Sequence, residues 1–355
     1  MNLDGLPEMR KLDPQNMLAE IDNLPNQLAQ AWALGQNLPL PNYSGITRVV
    51  ISGMGGSAIG ADLLASYVAD QCSVPVIVQR DYGLPAFANG KETLFIASSH
   101  SGNTEETLTS FDFAEKRGCS LLVVCTGGKL AQKAEAVGCP VWIFPHNHQP
   151  RSAVGFSFGL LLAVFFRLGL LPDQAELMAS AVMAMQAQQV KIQVAVPAAQ
   201  NPAKRYAGQL VGRWVTVFGS GVLAPVARRW KGQINELAKA PANFEFLPEA
   251  DHNTLAGVIN PSSELLVPHT MSLFLSAACD HPRNGIRTLI TRQTLMLEGL
   301  NTDIYTASGE NNLAQMWTAI HFGDYMAYYL AIAYSVDPTP VDVLISLKAD
   351  LEAQK

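Results

Sequence analysis

Apolar and polar positions along the chain fall into a repeating rhythm. The first 45 residues are amphipathic with helical spacing, interrupted by Pro25, Pro39 and Pro41. Beyond them, short runs that are apolar at nearly every position alternate with longer helix-like segments. Thr47–Ser52 (TRVVIS), Pro75–Gln79 (PVIVQ), Thr93–Ser98 (TLFIAS), Ser120–Cys125 (SLLVVC) and Pro140–Phe144 read as strands. Helices are expected over Ser57–Ala69, Thr104–Arg117 and Lys129–Val137, and the almost wholly apolar Ser152–Leu170 predicts a helix buried on most sides. Continuously apolar strands separated by helices imply a parallel sheet covered on both faces.

Residues 173–196 read as one more helix, and Pro197 and Pro202 mark a boundary. The rhythm then returns: a strand at Trp214–Gly219, a glycine turn at Gly219–Gly221 and a helix over Val222–Lys239. Strands at Glu264–Val267 and Ser272–Ser276, a helix over His281–Glu298 and a strand at Asp303–Ala307 follow. A long apolar helix over Asn312–Tyr334 and a last helix after Pro338 and Pro340 complete the chain. The expected fold class is α/β, with an N-terminal helical segment (1–45) and two lobes (46–196 and 197–355), each a mainly parallel sheet flanked by helices. The halves repeat as a pattern of elements, not letter by letter.

Composition narrows the function. Hydrophobic residues make up 48% and charged residues 15% of the 355, which excludes a disordered chain. The longest apolar run, Phe156–Leu171, is interrupted by Arg167 and falls short of the ~18–20 residues of a bilayer span. Asp4, Glu8 and Asp13 leave no apolar signal-peptide core, so a cytoplasmic protein is expected. With 24 basic against 30 acidic residues the net charge is -6, which argues against a nucleic-acid-binding face. Cys72, Cys119, Cys125, Cys139 and Cys279 lack metal-ligand spacing and read as buried thiols, and His146 and His148 lack accompanying ligands; no metal is expected.

Two polar turns follow buried strands and open helices: Gly53-Met-Gly-Gly-Ser-Ala-Ile-Gly60 and Ser98-Ser-His-Ser-Gly-Asn-Thr-Glu-Glu-Thr107. Such turns lie where open α/β sheets bind ligands. Glycines admit close backbone approach, free amides and the helix dipole favour an anion, and Ser57, Ser99, Ser101 and Thr104 add hydroxyls. Gly53-x-Gly55-x-x-Ala58 also fits the loose dinucleotide fingerprint, with Asp81 at about the distance of its ribose-binding acid. Asn103 and Glu106 have capping-box spacing. A dinucleotide site has no need of the second hydroxyl-rich turn, whereas two such turns suit one phosphate held from two sides.

Acid–base candidates lie in the second half. Glu236 lies on the helix VARRWKGQINELAK and is followed by Leu and Ala, so partial burial would raise its pKa and suit it to proton transfer. The alternative is a solvated glutamate paired with Lys239 at i+3. His252, in the loop Pro-Glu-Ala-Asp-His-Asn, is either a titrating catalytic group or a solvated loop histidine. Lys348 reads most simply as an exposed lysine on the last helix.

These residues together resemble the sugar-isomerase (SIS) fold and, within it, the bifunctional phosphoglucose/phosphomannose isomerases. The resemblance is carried by Gly53-Met-Gly-Gly-Ser57, Ser99-His-Ser-Gly-Asn-Thr104, Pro150-Arg151, Arg229-Trp-Lys-Gly-Gln-Ile-Asn-Glu236, Pro248-Glu-Ala-Asp-His-Asn253, Gly323-Asp324-Tyr325 and Asp337-Pro-Thr-Pro340. It implies two SIS lobes and aldose–ketose isomerisation of fructose 6-phosphate with glucose 6-phosphate and mannose 6-phosphate, without metal or redox cofactor. It further implies a phosphate held by Gly56, Ser57, Ser99, Ser101 and Thr104, and Arg151 stabilising the enediolate. Glu236 would be the base, with His252 and Lys348 assisting ring opening. A homodimer sharing its active sites is also implied. The chain departs from the family pattern at His100, where tyrosine is common, and at Leu237, where a polar residue is more usual. A non-catalytic sugar-phosphate sensor and a nicotinamide-dependent oxidoreductase stand as the alternatives.

Overall fold

A computed structural model describes residues 2–354. Three helices open the chain: α1 (Leu6–Leu12), α2 (Met17–Asp22) and α3 (Leu24–Asn37). The first sheet is built from β1 (Arg48–Ser52), β2 (Val76–Gln79), β3 (Thr93–Ser99), β4 (Ser120–Cys125) and β5 (Val141–Ile143). Between its strands run α4 (Gly55–Val68), α5 (Glu105–Lys116) and α6 (Gly128–Ala136). A 3-10 turn (Pro150–Ala153) leads into α7 (Val154–Arg167), followed by α8 (Ala175–Ile192) and α9 (Pro202–Leu210). The second sheet and its helices comprise β6 (Trp214–Gly219), α10 (Ala224–Ala238), β7 (Ala242–Phe246), the short α11 (Ser263–Leu266), β8 (Thr270–Ser276), α12 (Pro282–Leu297) and β9 (Thr302–Thr306). Helices α13 (Asn312–Ala333) and α14 (Asp342–Ala353) close the chain.

All strand pairs are parallel. The first sheet has the order β2-β1-β3-β4-β5 and the second β7-β6-β8-β9. Mapping β6 onto β1 makes the second order identical to the first four strands of the first, so the repeat read from the sequence is a repeat of topology. The apolar runs have a simple cause. Along β1, Val49 and Ile51 point into the main core while Val50 points into a separate core under α5 and α6 with Phe95, Val123 and Leu130. A strand buried on both faces has no polar side to alternate with.

The main core is continuous across both sheets. It runs from Leu28 and Leu160 through Val49 and Leu63 to Met185, Trp230, Trp317 and Tyr329. Helices α7 and α13 lie inside it, which accounts for their apolar character on all sides. The stretch Pro150–Arg167 is apolar and long enough by composition to cross a bilayer, yet 83% of it is buried inside the fold, as befits a core helix.

Helix α10 packs on α13 at closest approach through Gly323. A Cβ there would stand 2.1 Å from Trp230 Nε1, so only glycine lets the indole lie against α13 and donate to the Ala319 carbonyl at 2.8 Å. The adjacent Arg229 makes a two-pronged ion pair with Asp324, at 3.1 and 2.8 Å, with both side chains buried.

Three segments differ from the reading of the sequence. Residues 264–267, expected as a strand, form the end of α11 and the turn after it. Strand β7 was not anticipated: it lies at the sheet edge, is largely half-buried, and so carries polar residues among its aromatics. Helix α9 begins at a proline read as a boundary; Asn201 Oδ1 accepts from Lys204 N at 3.1 Å, and Pro202 stands at its first position.

Replacing Gly323 with alanine should destabilise the protein by about 1–3 kcal/mol, the usual cost of overpacking a tight core. Urea unfolding measures this, and a change within ~0.5 kcal/mol, the range of an ordinary surface substitution, would contradict the close-approach account.

Candidate active site

The two polar turns meet at the carboxyl edge of the first sheet, between the neighbouring strands β1 and β3, where the strand order switches direction. Helix α4 starts at Gly55, whose φ of +49° suits glycine. Its N-cap, Met54, supplies no side-chain acceptor, so the first amides of the helix are left for another anion. Thr104 likewise precedes α5 without capping it; its Oγ1 lies 3.0 Å from Ser99 Oγ. The turns are joined directly, because Ser57 Oγ accepts from His100 N at 3.1 Å. Ser57 and Ser99 are buried and Ser101 is exposed, with its Oγ accepting from Asn103 N at 3.2 Å. Gly102 has φ +63°, and a Cβ there would come 1.8 Å from the Gly127 carbonyl, so the serine turn is pressed onto the start of α6.

The capping box expected from Asn103 and Glu106 is not formed. Asn103 Oδ1 instead accepts from Lys129 N at 3.1 Å, tying the serine turn to α6. Asp81, the acid of the dinucleotide reading, is exposed and its carboxylate accepts from the Tyr82 amide at 2.7 Å.

Gly56 brings the first turn against the arginine segment: a Cβ there would lie 2.7 Å from the Pro150 carbonyl and 3.3 Å from Arg151 Cα. The Arg151 side chain is 2% exposed and its Nη1 lies 3.5 Å from Glu236 Oε2. Its Nη2 donates to the carbonyls of Pro338, at 2.8 Å, and Thr339, so the Asp337-Pro-Thr-Pro340 segment holds the guanidinium. Its Nε is buried without a hydrogen-bond partner among the described residues. Burial lowers the guanidinium's pKa, and the Glu236 charge opposes that shift.

Glu236 sits in the last turn of α10 with its side chain 33% exposed. Its neighbour is therefore a guanidinium and not the apolar wall expected from the following leucine. Nor does it pair with Lys239. That lysine is the left-handed C-cap of α10, with φ 55°, and its Nζ donates to the carbonyls of Glu236 at 2.6 Å and Pro338 at 3.3 Å. Partial burial of the ammonium, followed by the nearby Arg151 charge, brings the Lys239 pKa down to about 8. Lys239 is thus a site residue that the sequence reading treated only as a surface partner. The signal that it belongs there is its position just past the helix end, where a backbone reversal aims the side chain back at the site.

The sequence-derived candidates divide here. Gly56 packs on Arg151, Ser57 bonds the His100 amide beside Ser99, Ser99 lies on Thr104, Glu236 joins them through Arg151, and Ser101 sits in the same turn as Ser99. His252 ends the 3-10 turn Glu249–His252 and is exposed; Lys348 is exposed on α14. Neither makes a hydrogen bond or ion pair with the others among the described residues.

The equivalent crevice of the second sheet is filled by the protein itself. Ser220, in the glycine turn after β6, donates to the Asp280 carboxylate, which also accepts from His281 N at 2.7 Å and lies 2.7 Å from where a Gly221 Cβ would be. The two lobes are joined across this region: Arg228 Nη1 of α10 reaches Asp62 Oδ2 of α4 at 2.7 Å, and Arg80 shares that carboxylate.

Comparison with known proteins places the chain by family and fold. Residues 199–351 match the model of the bacterial phospho-glucose isomerase C-terminal SIS domain. The chain is 40% identical over 343 residues to a bifunctional phosphoglucose/phosphomannose isomerase of Caldicellulosiruptor bescii, covering 94% of this chain and 98% of that one. It is 32% identical over 314 residues to the protein of the same name from Aquifex aeolicus, covering 88% and 92%. Among solved structures, a hypothetical protein of Thermus thermophilus superposes with a TM-score of 0.75 at 16% identity, over 98% of this chain and 94% of that one. With its two parallel sheets, its paired hydroxyl-rich turns and relatives matched over nearly their whole length, the chain belongs to the bifunctional phosphoglucose/phosphomannose isomerase family of SIS-fold proteins.

Proposed function

We propose that the protein is an aldose–ketose isomerase that interconverts fructose 6-phosphate with glucose 6-phosphate and mannose 6-phosphate. The observation that carries this reading is the Glu236–Arg151 pair at 3.5 Å, set beside an uncapped, hydroxyl-lined crevice suited to a phosphate. The phosphate would bind at the amides of Gly55 and Gly56 and the hydroxyls of Ser57, Ser99, Ser101 and Thr104, in a protein whose net charge disfavours anions elsewhere. A sugar anchored there can extend its C1–C2 end toward the arginine.

The chemistry follows from the pair. Glu236 takes the proton from C2 of the open-chain aldose, and the electron pair moves to the carbonyl oxygen. Arg151, with an unpaired buried Nε–H, faces the negative charge developing on that oxygen. A hydroxyl proton shifts between O2 and O1, and Glu236 returns its proton to C1, giving the ketose. Reversal through the planar enediol places the proton on either face of C2, which is the only difference between the glucose and mannose phosphates. A sensor would need the crevice but not the base and arginine beside it.

We further propose that the working unit is a homodimer in the cytoplasm. His252 and Lys348 are exposed and unpaired with the site in their own chain, and α14 leaves Val343, Leu344, Leu347 and Leu351 uncovered along one side. A second copy covering that face would supply the ring-opening groups that a single chain leaves outside. The five free cysteines suit a reducing compartment.

Glu236→Gln should lower kcat for fructose 6-phosphate by ~10²–10⁴-fold while leaving phosphate affinity nearly unchanged. A variant that keeps most of its turnover would overturn the role of Glu236. If the Lys239 ammonium stabilises the developing charge, kcat/KM should fall as pH rises through about 8, where it loses its proton. Lys239→Arg should move that limb to higher pH, and an unmoved limb would assign it to another group. Co-refolding the Glu236→Gln and His252→Ala variants tests the shared site: mixed dimers should regain activity that neither parent has. Failure of the mixture to exceed its parents would place each site within one chain.

A further inference from the structure

His100 lies between the two serines of the phosphate turn, and its ring enters a network that the proposed reaction does not use. His100 Nε2 is 2.8 Å from His146 Nδ1, and His146 Nε2 is 3.1 Å from Glu20 Oε2. His148 approaches the other oxygen of the same carboxylate at 3.3 Å. A carboxylate only accepts, so His146 carries its proton on Nε2. In the neutral ring Nδ1 is then an acceptor, and His100 must donate from Nε2. Each ring is held in one tautomer by the next group along.

We propose that His100, His146 and Glu20 form a hydrogen-bonded relay that positions the phosphate turn against the arginine segment and so sets the affinity for the sugar phosphate. The proposal rests on reading the serine turn as the phosphate site. Three separate parts of the chain meet in it. Glu20 comes from α2, His100 from the turn after β3, and His146 from the segment after β5 that continues into Arg151. The backbone of His100 fastens both crevice turns, since its amide donates to Ser57 Oγ and its carbonyl accepts from Thr126 N at 3.0 Å and Thr126 Oγ1 at 2.8 Å. On the other side, Ser152 Oγ lies 3.4 Å from His146 Nε2 and donates to the Gln149 carbonyl at 2.8 Å. Gln149 Oε1 in turn accepts from Arg151 Nη1 at 3.4 Å. A shift of the His146 ring would therefore loosen the phosphate turn, while the Arg151 guanidinium stays held by the Pro338 and Thr339 carbonyls.

The surroundings suit a rigid relay. His146 is buried and packs edge-on against Phe156, which stacks with Phe144 at 5.1 Å. Burial, reinforced by His146, lowers the His100 pKa to about 4, so near neutrality its ring brings a directed hydrogen bond and no charge to the phosphate turn. The hydrogen bond from His146 lowers the pKa of Glu20 against the opposing effect of burial, which keeps the far end an acceptor.

The test uses the full-length protein with His146→Phe, which keeps a flat ring among its aromatic neighbours and removes both hydrogen bonds. Dissociation of inorganic phosphate is measured by calorimetry, alongside kcat and KM for fructose 6-phosphate. The phosphate Kd and the KM should rise together by roughly 5–50-fold, the range expected for losing buried hydrogen bonds, while kcat changes by less than about threefold. Adding H100F to H146F should cost little more than H146F alone, since the bond between the rings is already gone. Should H146F fail to fold, E20Q is measured instead and should raise the phosphate Kd in the same direction. An unchanged phosphate Kd in the folded variant, a fall in kcat with Kd and KM constant, or additive losses in the double variant would each overturn the relay. Phosphate binding needs no turnover: a wild-type protein that binds phosphate without isomerising fructose 6-phosphate would refute the proposed activity while the calorimetry still decides the relay. A wild-type protein that binds no phosphate would refute the relay itself.

Discussion

The packing of α10 on α13 is the constraint on which the active site depends. Trp230 lies flat against the helix at Gly323, and one residue away Arg229 and Asp324 close a buried, two-pronged ion pair. A buried ion pair contributes little net stability, because desolvating two charges offsets their attraction, but it is intolerant of displacement. Together these contacts fix both the rotation and the height of α10. Two turns further along the same helix, that rotation decides where Glu236 points. The guanidinium it meets is held from the other side by carbonyls of the segment just after α13, so the Glu236 carboxylate and the arginine are referenced to the same buried helix.

The two lobes share a topology and differ in the use they make of it. In the first, two helix starts are left uncapped at the switch point of the sheet, and the crevice is open to an anion. In the second, Asp280 occupies the corresponding place and is bonded by Ser220 and the His281 amide. The carboxylate also accepts from Asn284 Nδ2 at 3.2 Å, so the turn after β6 is tied to the segment after β8 by the protein's own groups. The second lobe thereby serves a different purpose, delivering the carboxyl end of α10, where Glu236 and Lys239 stand, to the crevice of the first. The continuous core between the sheets makes this delivery rigid, since neither lobe can turn without opening apolar contacts around α7 and α13.

Much of this was legible from residue type and spacing. The strands of the first sheet announce themselves because burial on both faces requires apolar residues at every position, and the glycine and serine turns because runs of small and hydroxylated residues between an apolar strand and a helix stand out from both. Edge strand β7 escaped notice because one side of it is half-exposed and its pattern is diluted with polar residues. Asn103 shows the limit of local spacing: it satisfies the sequence rule for a capping box, yet its side chain serves the neighbouring helix α6, which is adjacent in space and 26 residues away in the chain. Lys239 shows the same limit for charge pairs. Its i+3 relation to Glu236 suggested a helical ion pair, but the helix ends before it and the left-handed residue directs its ammonium to carbonyls instead.

The sequence by itself therefore determined the fold class, the repeat, the two hydroxyl-rich turns at strand ends and the donor and acceptor groups they carry. These follow from hydrophobic periodicity and from what each side chain can donate or accept. Only the tertiary structure decided that Arg151 is the partner of Glu236, that Asp280 closes the second crevice, and that His100 is bonded through His146 to Glu20. Each of these joins residues far apart in the chain or on different elements. Such contacts depend on the packing of helices and sheets against one another, which local pattern does not encode.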